Sequence, residues 1–70
     1  MHTCCYRITI VGAIGMTCRE AFGDFQIEPN GTHTVLIADM DQPALYGTLN
    51  RIQSLGLELA GLSRLGYGAN

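Results

Sequence analysis

The sequence predicts an α+β domain: a four-stranded antiparallel sheet with two helices on one face, in the order β-α-β-β-α-β. Three observations carry this. Residues 6–11 and 24–28 alternate apolar and polar side chains with period 2, the strand signal. Residues 41–56 carry helix-start and helix-stop chemistry around a stripe of period-3.6 leucines. Right-handed crossovers then leave that order of elements one compact arrangement.

Taken in order, Tyr6, Ile8 and Ile10 alternate with Arg7, Thr9 and Val11, and Gly12 and Gly15 close the strand. Residues 16–22 read as a helix of about two turns. Thr17 is its expected N-cap, with Glu20 completing a capping box and Gly23 ending it in the left-handed conformation. A hairpin over residues 24–38 follows, turning at Pro29-Asn30-Gly31. Its second strand, 32–38, contains Val35-Leu36-Ile37, a run apolar on both faces.

The second helix is the better marked. Asp39 or Asp41 can cap it, and Pro43 sits in its first turn, where a missing N–H costs nothing. Leu45, Leu49, Ile52 and Leu55 form its apolar stripe. Gly56 stands at C′, with Leu57 placed to close a Schellman ending on Ile52. Gly47 inside the helix costs about 1 kcal/mol relative to Ala, which suggests a close approach to the sheet. Residues 57–62 form the last strand, with a bulge at Gly61 where the apolar phase shifts. Residues 1–5 and 66–70 are expected to be frayed tails of a single domain spanning 1–70. This is the ferredoxin-like plait in shortened form, with strands 6–11 and 32–38 at its centre.

Composition narrows the function classes. Of 70 residues, 47% are apolar and only 14% charged, against about 25% charged in an ordinary soluble domain. That excludes intrinsic disorder and leaves apolar surface over once a thin core is filled. The four cationic side chains, Arg7, Arg19, Arg51 and Arg64, are spread along the chain, so the basic footprint of a nucleic-acid binder is missing. No apolar run approaches the ~20 residues of a membrane span, and residues 1–7 lack a signal peptide's basic region; a cytoplasmic protein without membrane association is expected. Three cysteines cannot close a full intramolecular disulfide set and fit a reducing compartment.

A plait covers one sheet face with helices and leaves the other bare. If Tyr6, Ile8, Ile10, Val35 and Ile37 face the helices, then Thr9, Val11, Leu36 and Ala38 face out as interface candidates. The opposite phase of the first strand puts Tyr6, Ile8 and Ile10 out instead. Either way, pairing two open faces about a two-fold axis would cover the patch, and a homodimer or higher oligomer is expected.

Few residues point to chemistry. Gly15-Met16-Thr17-Cys18 resembles the first loop of heavy-metal-associated domains, whose pattern G-M-T-C-x-x-C sits in a βαββαβ plait. That resemblance implies a metal carrier, with Cys18 as its ligand. Here Ala21 stands where the second cysteine belongs, and one thiolate leaves soft Cu(I) under-coordinated, so no metal is expected. Cys18 otherwise reads as a small buried side chain near a helix start. His2 and His33 are too far apart in sequence for a local metal signature, and helix capping accounts for Asp39 and Asp41. Gly12-x-x-Gly15 lacks the third glycine and the Lys-Ser/Thr of phosphate loops. Tyr6 to Gly12, Thr34-Val35-Leu36, Asp41 to Leu45 and Ile52 to Leu59 together resemble a group of short actinobacterial proteins, which implies lineage and fold but no site.

The order of readings is therefore a non-enzymatic, homo-oligomeric interaction or small-ligand-sensing module using its open sheet face, with no cofactor. Next comes a small dimeric enzyme with Tyr6, His33 or Asp39 as acid–base groups between sheet and helices. Last comes a thiol or metal carrier using Cys18.

Overall fold

The structure, a computed structural model, describes residues 3–67. Its elements are β1 (Cys4–Val11), α1 (Met16–Ala21), β2 (Gln26–Asn30), β3 (His33–Met40), α2 (Gln42–Ser54) and β4 (Leu59–Tyr67). The four strands form one antiparallel sheet in the order β2-β3-β1-β4, so β1 and β3 are central and β2 and β4 are edges. This is the predicted α+β plait.

The inner face of the sheet is fixed by the β1–β3 ladder. Cys4, Tyr6, Ile8 and Ile10 lie opposite Met40, Ala38, Leu36 and Thr34, and opposite residues of an antiparallel pair share a face. Ile8, Ile10 and Leu36 are fully buried there, in one cluster with Ile14, Phe22, Leu45 and Ile52 from the helical layer. Thr34 is buried on the same face without penalty, because its hydroxyl donates to the Gly12 carbonyl at 2.8 Å.

The first helix is held by its ends. None of its six residues is buried, yet Ile14 before it and Phe22 after it are. Ile14 must enter the core before the helix can begin, so Gly15 becomes the N-cap and Thr17 falls inside the helix, contrary to the capping-box expectation. Gly23 keeps a negative φ, and the helix stops at Phe22, whose N–H bonds to the Cys18 and Arg19 carbonyls at 3.2 Å. The Phe22 ring meets Phe25 edge-on at 5.5 Å and lies 5.8 Å from the Arg51 guanidinium, which also donates to the Ala21 carbonyl at 2.8 Å. Those contacts tie α1 to α2.

The second helix forms as its sequence dictates. Asp41 caps it, accepting from Ala44 N–H at 2.9 Å, and Pro43 lies in the first turn. At its end Leu57 N–H bonds to the Ile52 carbonyl at 3.1 Å and Gly56 N–H to Gln53 at 3.0 Å, with Gly56 at φ +74°. That is the Schellman ending. The buried stripe is Leu45, Thr48 and Ile52; Leu49 is half-buried and Leu55 is exposed. Gly47 faces solvent, and a Cβ there would meet nothing within 4 Å, so it serves no close approach to the sheet.

The hairpin turns one residue later than expected. Asn30 and His33 pair, leaving Gly31-Thr32 as a two-residue loop with φ +63° at Gly31, the glycine position of a II′ turn. Pro29 consequently lies inside β2, tolerable because β2 is an edge. Cys4, Cys5, Gly66 and Tyr67, expected in tails, instead pair across β1 and β4. The expected bulge is present, with a register shift between Thr9 and Ile10 opposite Gly61 and Leu59, and a second shift falls between Cys5 and Tyr6 opposite Gly66 and Arg64. Residues 1–2 and 68–70 lie outside the described residues.

Candidate functional site

Helix α2 buries Leu45, Thr48 and Ile52 against the inner face and α1 packs the half-buried Cys18 and Ala21 on the same core, so the other face of the sheet is open, as the order of elements predicts. The ladders place Cys5, Arg7, Thr9 and Val11 on it, with Asp39, Ile37, Val35 and His33 from β3 and Gln26, Glu28 and Asn30 from β2. Of the two phases open to the first strand, the ladder selects the one that puts Thr9 and Val11 outward. Leu36 and Ala38, expected outward with them, instead face the helices, and Val35 and Ile37 take the outer positions. The run Val35-Leu36-Ile37 is apolar in either phase, so only pairing with β1 could set its direction.

The open face is also more polar than expected. Val35 sits between Thr9 and Glu28 in the ladders and is only 2% exposed, closed over by its neighbours on the face. Across β1, β2 and β3 on this face, Val11, 42% exposed, is the one largely uncovered apolar side chain. Arg7, Glu28 and Asp39 interrupt the rest.

The uncovered apolar surface lies elsewhere. Leu59, Leu62 and Leu65 along β4 are exposed, and so is Leu55 at the end of α2. Leu59 and Leu62 lie opposite Ile10 and Ile8, which puts them on the helix side of the sheet, where α2 stops short of covering them. Beside them runs an apolar groove of about 340 Å³, lined by Leu49, Ile52, Gln53, Leu57 and Leu59. The sequence does contain a signal for this surface: Leu59, Leu62 and Leu65 recur every third residue in a strand with two register shifts. A period of two could not find it.

The acid–base residues are not brought together. Tyr6 is buried beneath the helical layer, whereas His33 and Asp39 are on the open face at opposite ends of β3, about 20 Å apart at strand spacing. The His33 Nδ1 shares a hydrogen bond with the Thr32 hydroxyl at 3.1 Å. Cys5 is opposite Asp39, and desolvation together with that carboxylate, both by charge and by hydrogen bond, pushes the thiol above its ordinary value of 9.0. A thiol so held is a poorer nucleophile at neutral pH. Cys18 is half-buried in α1 against the core, and Cys4 is buried opposite Met40. Among the described residues, no group of three or more His, Cys, Asp or Glu side chains is placed to hold a metal ion.

Fold and surface together define a small α+β plait with an apolar margin along β4, further exposed apolar side chains at Val11, Met16 and Tyr46, and no group of metal-ligating side chains among the described residues. The chain belongs to the family described as domain of unknown function DUF8691, which it matches over residues 5–63. That span runs from the second residue of β1 to the middle of β4. No curated protein and no solved structure matches the chain.

Proposed function

We propose that this protein is a non-catalytic, homo-oligomeric assembly module of the cytoplasm, in an actinobacterial lineage. One observation carries the assembly reading: Leu59, Leu62 and Leu65 are exposed together along β4, whereas Val11, Met16 and Tyr46 are exposed singly on β1, α1 and α2. Contiguous apolar surface of this kind marks interaction sites, whereas isolated exposed side chains need no explanation. A chain this small gains stability by covering such surface, at about 25 cal/mol per Å² of apolar area. The open sheet face is the weaker candidate, because its polar side chains would have to be paired on burial.

The groove supports a second reading, sensing of a small apolar ligand. Its volume of about 340 Å³ lies at the low end for ligand pockets, and Gln53 is its one polar lining residue. Catalysis is less well supported, since Tyr6, His33 and Asp39 do not converge. Light scattering on the eluting protein tests the assembly reading. The expected species is at least twice the 7.6 kDa chain at tens of micromolar. A single 7.6 kDa species there would overturn it.

A further inference from the structure

We propose that the partner at the β4 margin is a second copy of this chain, joined edge to edge so that the two four-stranded sheets become one. The inference rests on the assembly reading and names its surface and its occupant.

The two edges of the sheet are treated differently. Strand β2 is five residues long and carries Glu28 and Pro29, the charge and the missing donor that blunt an edge against strand addition. Strand β4 is nine residues long, lacks proline, and Arg64 is its one charged residue. Its outer edge presents backbone groups suited to another strand, and leucines 59, 62 and 65 flank them. The register shifts fall toward its two ends, leaving Gly61–Arg64 as the regular stretch on which pairing would centre.

A second copy suits this edge by symmetry. Two β4 strands pair antiparallel about a two-fold axis normal to the sheet, which sets both helical layers on the same side. Leu59 and Leu62 of each copy then meet along the helix-side seam between the two α2 helices, a seam that Arg64, opposite Tyr6 on the same face, shares at one end of each β4, with a groove on either flank. The contact is isologous, so the β4 margin of one copy meets the same margin of the other. Its size is adequate. The strand is about 30 Å long at 3.4 Å per residue, and the molecule is 19 Å across its shortest axis. In projection that is about 570 Å² a side, or about 1,100 Å² in all, close to the lower limit of stable interfaces.

The test compares three charge insertions by sedimentation equilibrium. Leu62→Lys and Leu65→Lys should weaken the dimer at least 10-fold, while Val11→Lys on the open face should leave it unchanged. Weakening by Val11→Lys with no effect of Leu65→Lys would overturn the edge contact but leave assembly standing; a wild-type monomer would remove both. Should Leu62→Lys unfold, amide exchange of the wild-type protein at low and high concentration decides. Protection that rises with concentration in β4, and not in β2, is expected. Unchanged protection in β4 would overturn the proposal.

Discussion

Replacing Gly47 with Ala should stabilise the fold, and the structure sets both sign and size. Gly47 lies inside the 13-residue helix α2, has an ordinary negative φ and is exposed. A Cβ built there meets nothing within 4 Å, so the substitution carries no steric cost. What remains is the difference in helix propensity, about 0.8–1.0 kcal/mol, arising mostly from the freedom glycine keeps in the unfolded chain. Unfolding entropy near 2.1 cal/mol/K per residue over 70 residues converts this to a rise of about 6 °C in Tm. Urea titration should move the midpoint upward with an unchanged slope. Gly56 supplies the opposite control in the same helix: at φ +74° an alanine is strained, and Gly56→Ala should cost about 1–2 kcal/mol. Both measurements belong at one fixed protein concentration, because assembly contributes to apparent stability. If Gly47→Ala lowered Tm, the outer face of α2 would have to be covered in solution, and the reasoning that places assembly at β4 would fail with it.

Three further substitutions test the same structure. Asp41→Ala removes the acceptor for Ala44 N–H and should cost about 1 kcal/mol in urea unfolding, with Asp41→Asn retaining most of it. Asp39→Asn should lower the Cys5 thiol toward its ordinary 9.0, read as a downward shift in the pH profile of alkylation in a variant whose other cysteines are replaced. The sign for stability follows from the same pair. The folded state holds the Cys5 proton more tightly than the unfolded state, so this contribution is present below pH 9.0 and is lost as pH rises beyond it; Asp39→Asn should flatten that alkaline decline. Finally, Phe22→Ala should destabilise by about 3–5 kcal/mol, although Phe22 lies outside any helix, because it is fully buried and anchors α1.

How far these elements could be read from sequence depended on whether their determinants are local. Helix α2 announces itself through Asp41, Pro43 and Gly56, each acting within a few residues of where it stands. The start of α1 does not, because burial of Ile14 competes with capping by Thr17 and wins. Cys4–Cys5 and Gly66–Tyr67 carry no strand signal separately; they are strands because each pairs with the other across more than 50 residues of chain. The phase of Val35-Leu36-Ile37 is non-local in the same way. The interface candidates divide accordingly: Thr9 and Val11 lie on the open face, and Leu36 and Ala38 face the helices.

The uneven helical layer explains why the apolar remainder lies at one edge instead of on the open face. Two helices side by side, each about 10 Å wide, match four strands about 4.8 Å apart, provided both helices run the length of the sheet. Here α2 has 13 residues and α1 only six, about 9 Å of helix. On the β2 side the shortfall is made up by side chains outside the helix: Phe22 is buried, and Phe25 and Ile27 pack against the same core. On the β4 side Leu57 packs inward beside Ile52, but nothing comparable among the described residues covers Leu59 and Leu62. An edge left apolar, long and nearly uncharged is hazardous for a protein that stays monomeric, since it would recruit strands indiscriminately. The same edge is harmless when a specific partner covers it. The chain blunts β2 in its middle with Glu28 and Pro29, whereas on β4 the bulges fall toward the two ends and leave Gly61–Arg64 regular, and that asymmetry is what an assembly edge requires.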